Sequence, residues 1–113
     1  MVMDIRAELI NCGVSAQKAR LVIDTVRGKP AVAAMNTLRF MPKAAAYHVH
    51  KLLKSAVSNA EENFGISRDD LIIAEIMADE APTRKWRRFG ARGRFKPVMR
   101  RNSHIKIVLR EKA

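Results

Sequence analysis

A single cysteine, Cys12, is all the thiol that this 113-residue chain carries. One cysteine cannot build an intrachain disulfide framework, and its isolation fits a reducing compartment. No apolar run approaches the ~18–20 residues that a bilayer-spanning helix requires. The opening Met1-Val2-Met3-Asp4-Ile5-Arg6 lacks the charged-then-apolar order of a secretory signal. There is no Walker loop and no glycine-rich dinucleotide signature. His48 and His50 stand two apart on an expected helix, roughly 200° around its axis, so they cannot share a metal ion. The adjacent acids Glu61-Glu62, Asp69-Asp70 and Asp79-Glu80 read as helix-end and turn chemistry rather than as a catalytic acid–base pair. No nucleophile, metal ligand set or cofactor loop is left over, which argues against an enzyme and against any cofactor.

What the chain does have is apolar residues for one packed domain and an excess of positive charge, 22 Lys and Arg against 11 Asp and Glu. That excess is unevenly placed. Residues 1–82 carry ten basic and ten acidic side chains, whereas residues 83–113 carry twelve basic ones and a single acid, Glu111. From Thr83 to His104 there are nine Lys or Arg and no acid. A neutral body with a cationic arm points to a polyanionic partner.

Periodicity predicts the body. Asp4 to Leu9 alternates, with Ile5, Ala7 and Leu9 on one side, as in a half-buried strand. Ser15 is placed to cap a helix in which Ala19, Val22, Ile23 and Val26 form one buried stripe. Gly28 stops it, and Pro30 is expected at the first position of a second helix, about Ala31 to Phe40, with Ala34, Met35 and Leu38 facing inward. A third helix, from about Lys43 to Asn63, turns Ala46, Val49, Leu53, Ala56, Val57 and Ala60 to the core and ends at Gly65. Met35, Met41 and Met77 are expected to pack in the core. A long strand starts at Leu71 with Ile72, Ala74, Ile76 and Ala78 on one face; the last strand, His104 to Arg110, turns Ile105, Ile107 and Leu109 the same way. Setting Ala78 opposite Ile105, Ile76 opposite Ile107 and Ala74 opposite Leu109 keeps apolar partners together. That register centres the turn between Ala91 and Arg92, inside Gly90-Ala91-Arg92-Gly93. The expected fold is α+β: three helices on a small antiparallel sheet with a long protruding basic β-hairpin. It is one domain, a globular body (1–82 and 102–113) with an arm at about 83–101.

Arg84, Lys85, Arg87, Arg88, Arg92, Arg94, Lys96, Arg100 and Arg101 line this arm, and self-repulsion is expected to keep it mobile until a polyanion neutralises it. Seven of the nine are arginine, whose planar fork grips phosphate at two points and stacks on bases. Trp86, Phe89 and Phe95 are interleaved with them, placed either to stack on unpaired bases or, for the two phenylalanines, to pack across the hairpin on each other. His104 can contact phosphate or its cross-strand neighbour Asp79.

Ser15-Ala16-Gln17-Lys18-Ala19-Arg20-Leu21-Val22 followed by Val26-Arg27-Gly28-Lys29 resembles the first-helix signature of the bacterial large-subunit ribosomal protein twenty-two family. Lys43-Ala44-Ala45, Ser58-Asn59-Ala60-Glu61-Glu62-Asn63, Asp79-Glu80-Ala81-Pro82, Ala91-Arg92-Gly93-Arg94 and Arg101-Asn102-Ser103-His104-Ile105 resemble it in the same order along the chain. Phe89-Gly90, where the family usually has Pro-Arg, and Phe95, where it commonly has a small residue, depart from the pattern. The resemblance implies a cytoplasmic structural component of the large ribosomal subunit with an α+β body near the mouth of the polypeptide exit tunnel. Its hairpin would line the tunnel wall, touch several domains of the large-subunit ribosomal RNA, and meet the nascent polypeptide at its tip. It further implies early binding in subunit assembly and neighbouring ribosomal proteins as partners, with no obligate homo-oligomer. Lys18, Arg20, Arg27 and Lys29 at the first helix, and Lys85, Arg92, Arg94, Arg100 and Arg101 on the hairpin, match the family's RNA-contacting positions.

The nearest rival is an architectural DNA-binding protein with a basic ribbon, but such proteins usually present two arms from a dimer, and no apolar seam here demands a twin. Membrane-surface binding would need a basic amphipathic helix, and the cations sit on a ribbon instead.

Overall fold

The computed structural model describes residues 4–89 and 91–112, with side chains for 4–83, 92–94 and 101–112. Met1 to Met3, and Gly90 of the expected turn, lie outside the described residues. In chain order the main elements are β1 (Asp4–Leu9), α1 (Ala16–Ile23), α2 (Ala31–Arg39), α3 (Ala44–Phe64), β2 (Leu71–Phe89) and β3 (Phe95–Glu111).

The helices begin and end for local reasons. Ser15 Oγ accepts from the Lys18 N–H at 3.4 Å, which caps α1. Ala19, Val22 and Ile23, with Val26 in the turn beyond, are fully buried. Pro30 stands one residue earlier than expected, as the residue before α2. Its ψ of 142° is extended rather than helical, and there it bridges to Ile72 at the sheet. All six inward residues expected on α3 are buried. Gly65 closes that helix at φ +65°, a left-handed conformation that glycine adopts without steric cost, and its N–H returns to the Ala60 carbonyl.

The sheet is antiparallel with strand order β1-β3-β2. β3 is therefore central, and Ile5, Ala7 and Leu9 of β1 stand opposite Leu109, Ile107 and Ile105. α3 packs on β1 and β3, while α1 packs on β2 and β3, so one sheet face is covered and the other is open. At the sheet end Arg110 Nε donates to Asp4 at 2.8 Å, and that hydrogen bond holds the Asp4 carboxyl below its ordinary pKa.

The predicted register holds at Ala78↔Ile105 and Ile76↔Ile107 but not beyond. Leu109 faces Ile73 rather than Ala74, because a bulge between Ile73 and Glu75 inserts one residue into β2. One extra residue reverses the alternation, so Leu71 and Ile73 are fully buried while Ile72 and Ala74 are only partly so. Met77, between the inward Ile76 and Ala78, lies on the open face, 38% exposed, and not in the core as expected; Met35 and Met41 do pack against the core. A second irregularity between Ala81 and Arg84 shifts the outer ladder, pairing Phe89 with Phe95 and moving the turn centre onto Arg92.

Beyond the Ala81↔Asn102 pair, the ribbon runs eight more residues to Phe89, about 26 Å at ~3.3 Å per residue. The molecule measures 63 × 25 × 19 Å. Its radius of gyration is 17.2 Å, against about 13 Å for a compact chain of this length. A protruding hairpin accounts for the difference.

Candidate nucleic-acid interface

The arm ends in a tight turn, Ala91–Gly93, in which Arg92 has φ +59° and Gly93 φ +72°. Glycine adopts such angles freely, whereas a side-chain-bearing residue there costs about 1–2 kcal/mol. An arginine at this position puts a cation at the apex of the reversal. Arg92 and Arg94 are both exposed. The backbones of Arg84, Lys85, Trp86, Arg87, Arg88, Lys96 and Arg100 lie in the β2–β3 ladder. Their side chains, and the packing of Phe89 on Phe95, fall outside what the structure describes.

At the root of the arm, the β1–α1 loop is tied to β3 through Asn102 and Ser103, which carried no role in the sequence reading, and through His104, which did. The Cys12 N–H donates to the Ser103 carbonyl at 3.0 Å, and the Gly13 N–H donates to Asn102 Oδ1 at 2.7 Å. Ser103, fully buried, donates its hydroxyl to the Val14 carbonyl at 2.7 Å and lies 3.0 Å from the buried Cys12 thiol. The Asn11 N–H donates to His104 Nδ1 at 3.1 Å. The two alternatives for His104 are thus joined by a third: Asp79 is its register partner, yet Asp79 reaches Lys106 at 3.7 Å, and the imidazole serves the loop. The clue in the sequence was Ser103, a hydroxyl two residues before Ile105 and so in line with the buried face of Ile105, Ile107 and Leu109.

The first-helix cations flank β2, the other strand of the hairpin. Arg20 Nε donates to the Ala78 carbonyl at 3.1 Å. Arg27 donates to the Ile76 carbonyl at 3.1 Å through one terminal nitrogen and pairs with Asp24 at 2.7 Å through the other. The Lys29 carbonyl accepts from the Ile73 N–H at 3.0 Å. β2 is an edge strand, and an uncovered edge invites pairing with other chains; these three residues cover it. Both residues remain exposed, and a guanidinium has five donors, so one hydrogen bond to the edge does not use up those of Arg20. Lys18 and Lys29 are exposed as well, and Arg101 is exposed at the arm's root. Helix and arm therefore share one strand: Arg20 and Arg27 grip β2 at Ile76 and Ala78, and the arm's cations begin at Arg84 on the same strand.

Among the described residues no cluster of three or more His, Cys, Asp or Glu could hold a metal ion, and no helix is long and apolar enough to cross a membrane.

A sequence model of the family described as "Ribosomal protein L22p/L17e" matches residues 7–110. "Large ribosomal subunit protein uL22" of Dehalococcoides mccartyi is 46% identical over 107 residues, covering 95% of this chain and 98% of the relative. The protein of that name from Pediococcus pentosaceus is 46% identical over 99 residues, 88% of this chain and 84% of the relative. That of Ligilactobacillus salivarius is 46% identical over 96 residues, 85% and 84% respectively.

Proposed function

The chain belongs to the ribosomal protein L22p/L17e family, and from that premise we propose that its body docks on large-subunit ribosomal RNA while its basic hairpin threads between RNA segments. It is a structural constituent of the large ribosomal subunit in the cytoplasm, not an enzyme. The working division is a body of residues 1–82 and 102–113 and an arm at about 83–101. The body holds RNA through Lys18, Arg20, Arg27 and Lys29. The arm holds it through Arg84, Lys85, Arg87, Arg88, Arg92, Arg94, Lys96, Arg100 and Arg101, with Trp86 stacking on bases and His104 at the root.

One observation carries the reading most: nine Lys or Arg and no acid lie between Thr83 and His104, on a hairpin that lengthens the molecule to 63 Å. A cationic ribbon of that length is repelled by itself and stabilised by phosphates on either side. Reaching several RNA domains at once is what such a ribbon does well, and it suits a role early in subunit assembly. Family resemblance adds that the hairpin lines the polypeptide exit tunnel and that its tip meets the nascent chain. Neighbouring ribosomal proteins are further partners, and no homo-oligomer is required.

The test is the salt dependence of binding to a large-subunit ribosomal RNA transcript. Each phosphate contact adds roughly 0.7–0.9 to the log–log slope, so Arg92→Ala with Arg94→Ala should lower the slope by roughly 1.4–1.8 and leave thermal melting unchanged. Duplex DNA should compete poorly. An unchanged slope, or equal competition by duplex DNA, contradicts the proposal.

A further inference from the structure

The equal count of acids and bases in residues 1–82 hides a second segregation of charge. From Thr25 to Ala60 the chain has six Lys or Arg (Arg27, Lys29, Arg39, Lys43, Lys51 and Lys54) and no Asp or Glu. The acids of the body all fall outside that stretch. Half of these cations belong to the start and the outer face of α3. At 100° per residue, Tyr47, Lys51, Lys54 and Ser58 follow one another along a single stripe about 16 Å long. Their opposite side, Ala45, Val49, Leu52, Leu53 and Ala56, is buried against the rest of the fold. Because α3 packs its inner face on β1 and β3, the stripe points away from the sheet that carries the arm.

The stripe forms a shallow groove of about 400 Å³ lined by Tyr47, His50, Lys51, Lys54, Ser55 and Ser58. Tyr47 is 61% exposed, and Lys51 Nζ sits 5.1 Å from its ring centroid. Among the described residues no carboxylate is in ion-pair range of Lys43, Lys51 or Lys54. Glu61, the next acid along the helix, is engaged by Arg68 at 2.6 Å. A surface helix normally intersperses both signs of charge along its solvent face; this one does not until its last turn.

We infer that the outer face of α3 is a second RNA-docking surface, at which Lys51 and Lys54 neutralise backbone phosphates and the Tyr47 ring lies against a sugar or an unpaired base. Complementarity of charge selects the occupant. Unpaired lysines along a groove, hydroxyl donors at Ser55 and Ser58 and an exposed ring are the groups that grip a phosphodiester strand. The inference rests on the reading of the chain as a ribosomal RNA binder and adds a face that the arm and α1 do not include. Two contact regions on different sides of the body would fix its orientation on the subunit, where the arm alone would leave it free to swivel.

The experiment uses the full chain and a large-subunit ribosomal RNA transcript. Lys51→Gln with Lys54→Gln should reduce the salt slope by roughly 1.4–1.8 and raise Kd on the order of tenfold near physiological salt, with melting unchanged because both side chains are exposed. The Arg92→Ala, Arg94→Ala protein runs alongside. If wild type fails to bind, the parent reading falls and this inference with it. If wild type binds and the tip variant loses slope while the α3 variant matches wild type, only the second surface is refuted. In assembled large subunits, a benzophenone side chain installed at position 47 should crosslink to RNA; crosslinks to protein alone, or none, overturn the assignment.

Discussion

Replacing residues 84–100 with an Asn-Gly turn should abolish most of the affinity for large-subunit ribosomal RNA while leaving a folded body. The replacement removes eight cations: Arg84, Lys85, Arg87, Arg88, Arg92, Arg94, Lys96 and Arg100. If each meets a phosphate, the log–log salt slope falls by roughly 6–7 and affinity near physiological salt by on the order of 10³-fold or more. Stability should change little. The ladder up to Ala81↔Asn102 is retained, and the loop lock through Asn102, Ser103 and His104 lies on the body side of the cut. A two-residue turn also closes a hairpin more readily than a long ribbon. Calorimetry and filter binding on one preparation separate the two effects. A melting temperature lowered by more than a few degrees would make the arm part of the fold, and an unchanged salt slope would remove it from the binding surface.

The converse effect is expected at Leu53. It is fully buried on α3, the helix that packs on β1, β3 and both other helices. Leu53→Ala removes apolar contacts and leaves a cavity, at a cost of about 2–5 kcal/mol. For a domain of this size that lowers the melting temperature by on the order of 10 °C or more. Leu21→Ala on α1 is the control: Leu21 is 59% exposed, and its loss should stay within about 0.5 kcal/mol. Below its melting temperature the Leu53 variant should bind RNA with the wild-type salt slope, because no cation has been lost. Equal destabilisation by the two substitutions would show that α3 is not the centre of the core.

How much of this could be read from residues alone follows from the range of the forces involved. Helix stripes and caps are local, so Ser15, Gly65 and the six inward residues of α3 were all legible. Charge segregation is legible too, because it depends on order along the chain and not on folding. The register of β2 failed at Ala74 because a bulge leaves no mark in an alternating pattern: Leu71-Ile72-Ile73-Ala74 is apolar throughout, so either parity can be buried. Met77 was misplaced for a different reason: with Ile76 and Ala78 facing inward, alternation alone turns Met77 to the open face. The edge-covering role of Arg20 and Arg27 depends on which strand α1 comes to rest against, and β1 pairing with β3 depends on which edge stays open. Both are tertiary outcomes. The α3 face was missed for a different reason, since a net charge summed over residues 1–82 concealed a run of thirty-six residues without an acid.

A hairpin inserted in RNA within the subunit is what the proposed binding mode requires. Photoreactive side chains placed singly at positions 86 and 92 of the protein in assembled large subunits, with the adducts mapped on the ribosomal RNA, test that directly. RNA adducts from both positions, falling at distinct segments, are the predicted result. Adducts confined to the chain's own helices, with ribosomal RNA unmodified, would contradict it.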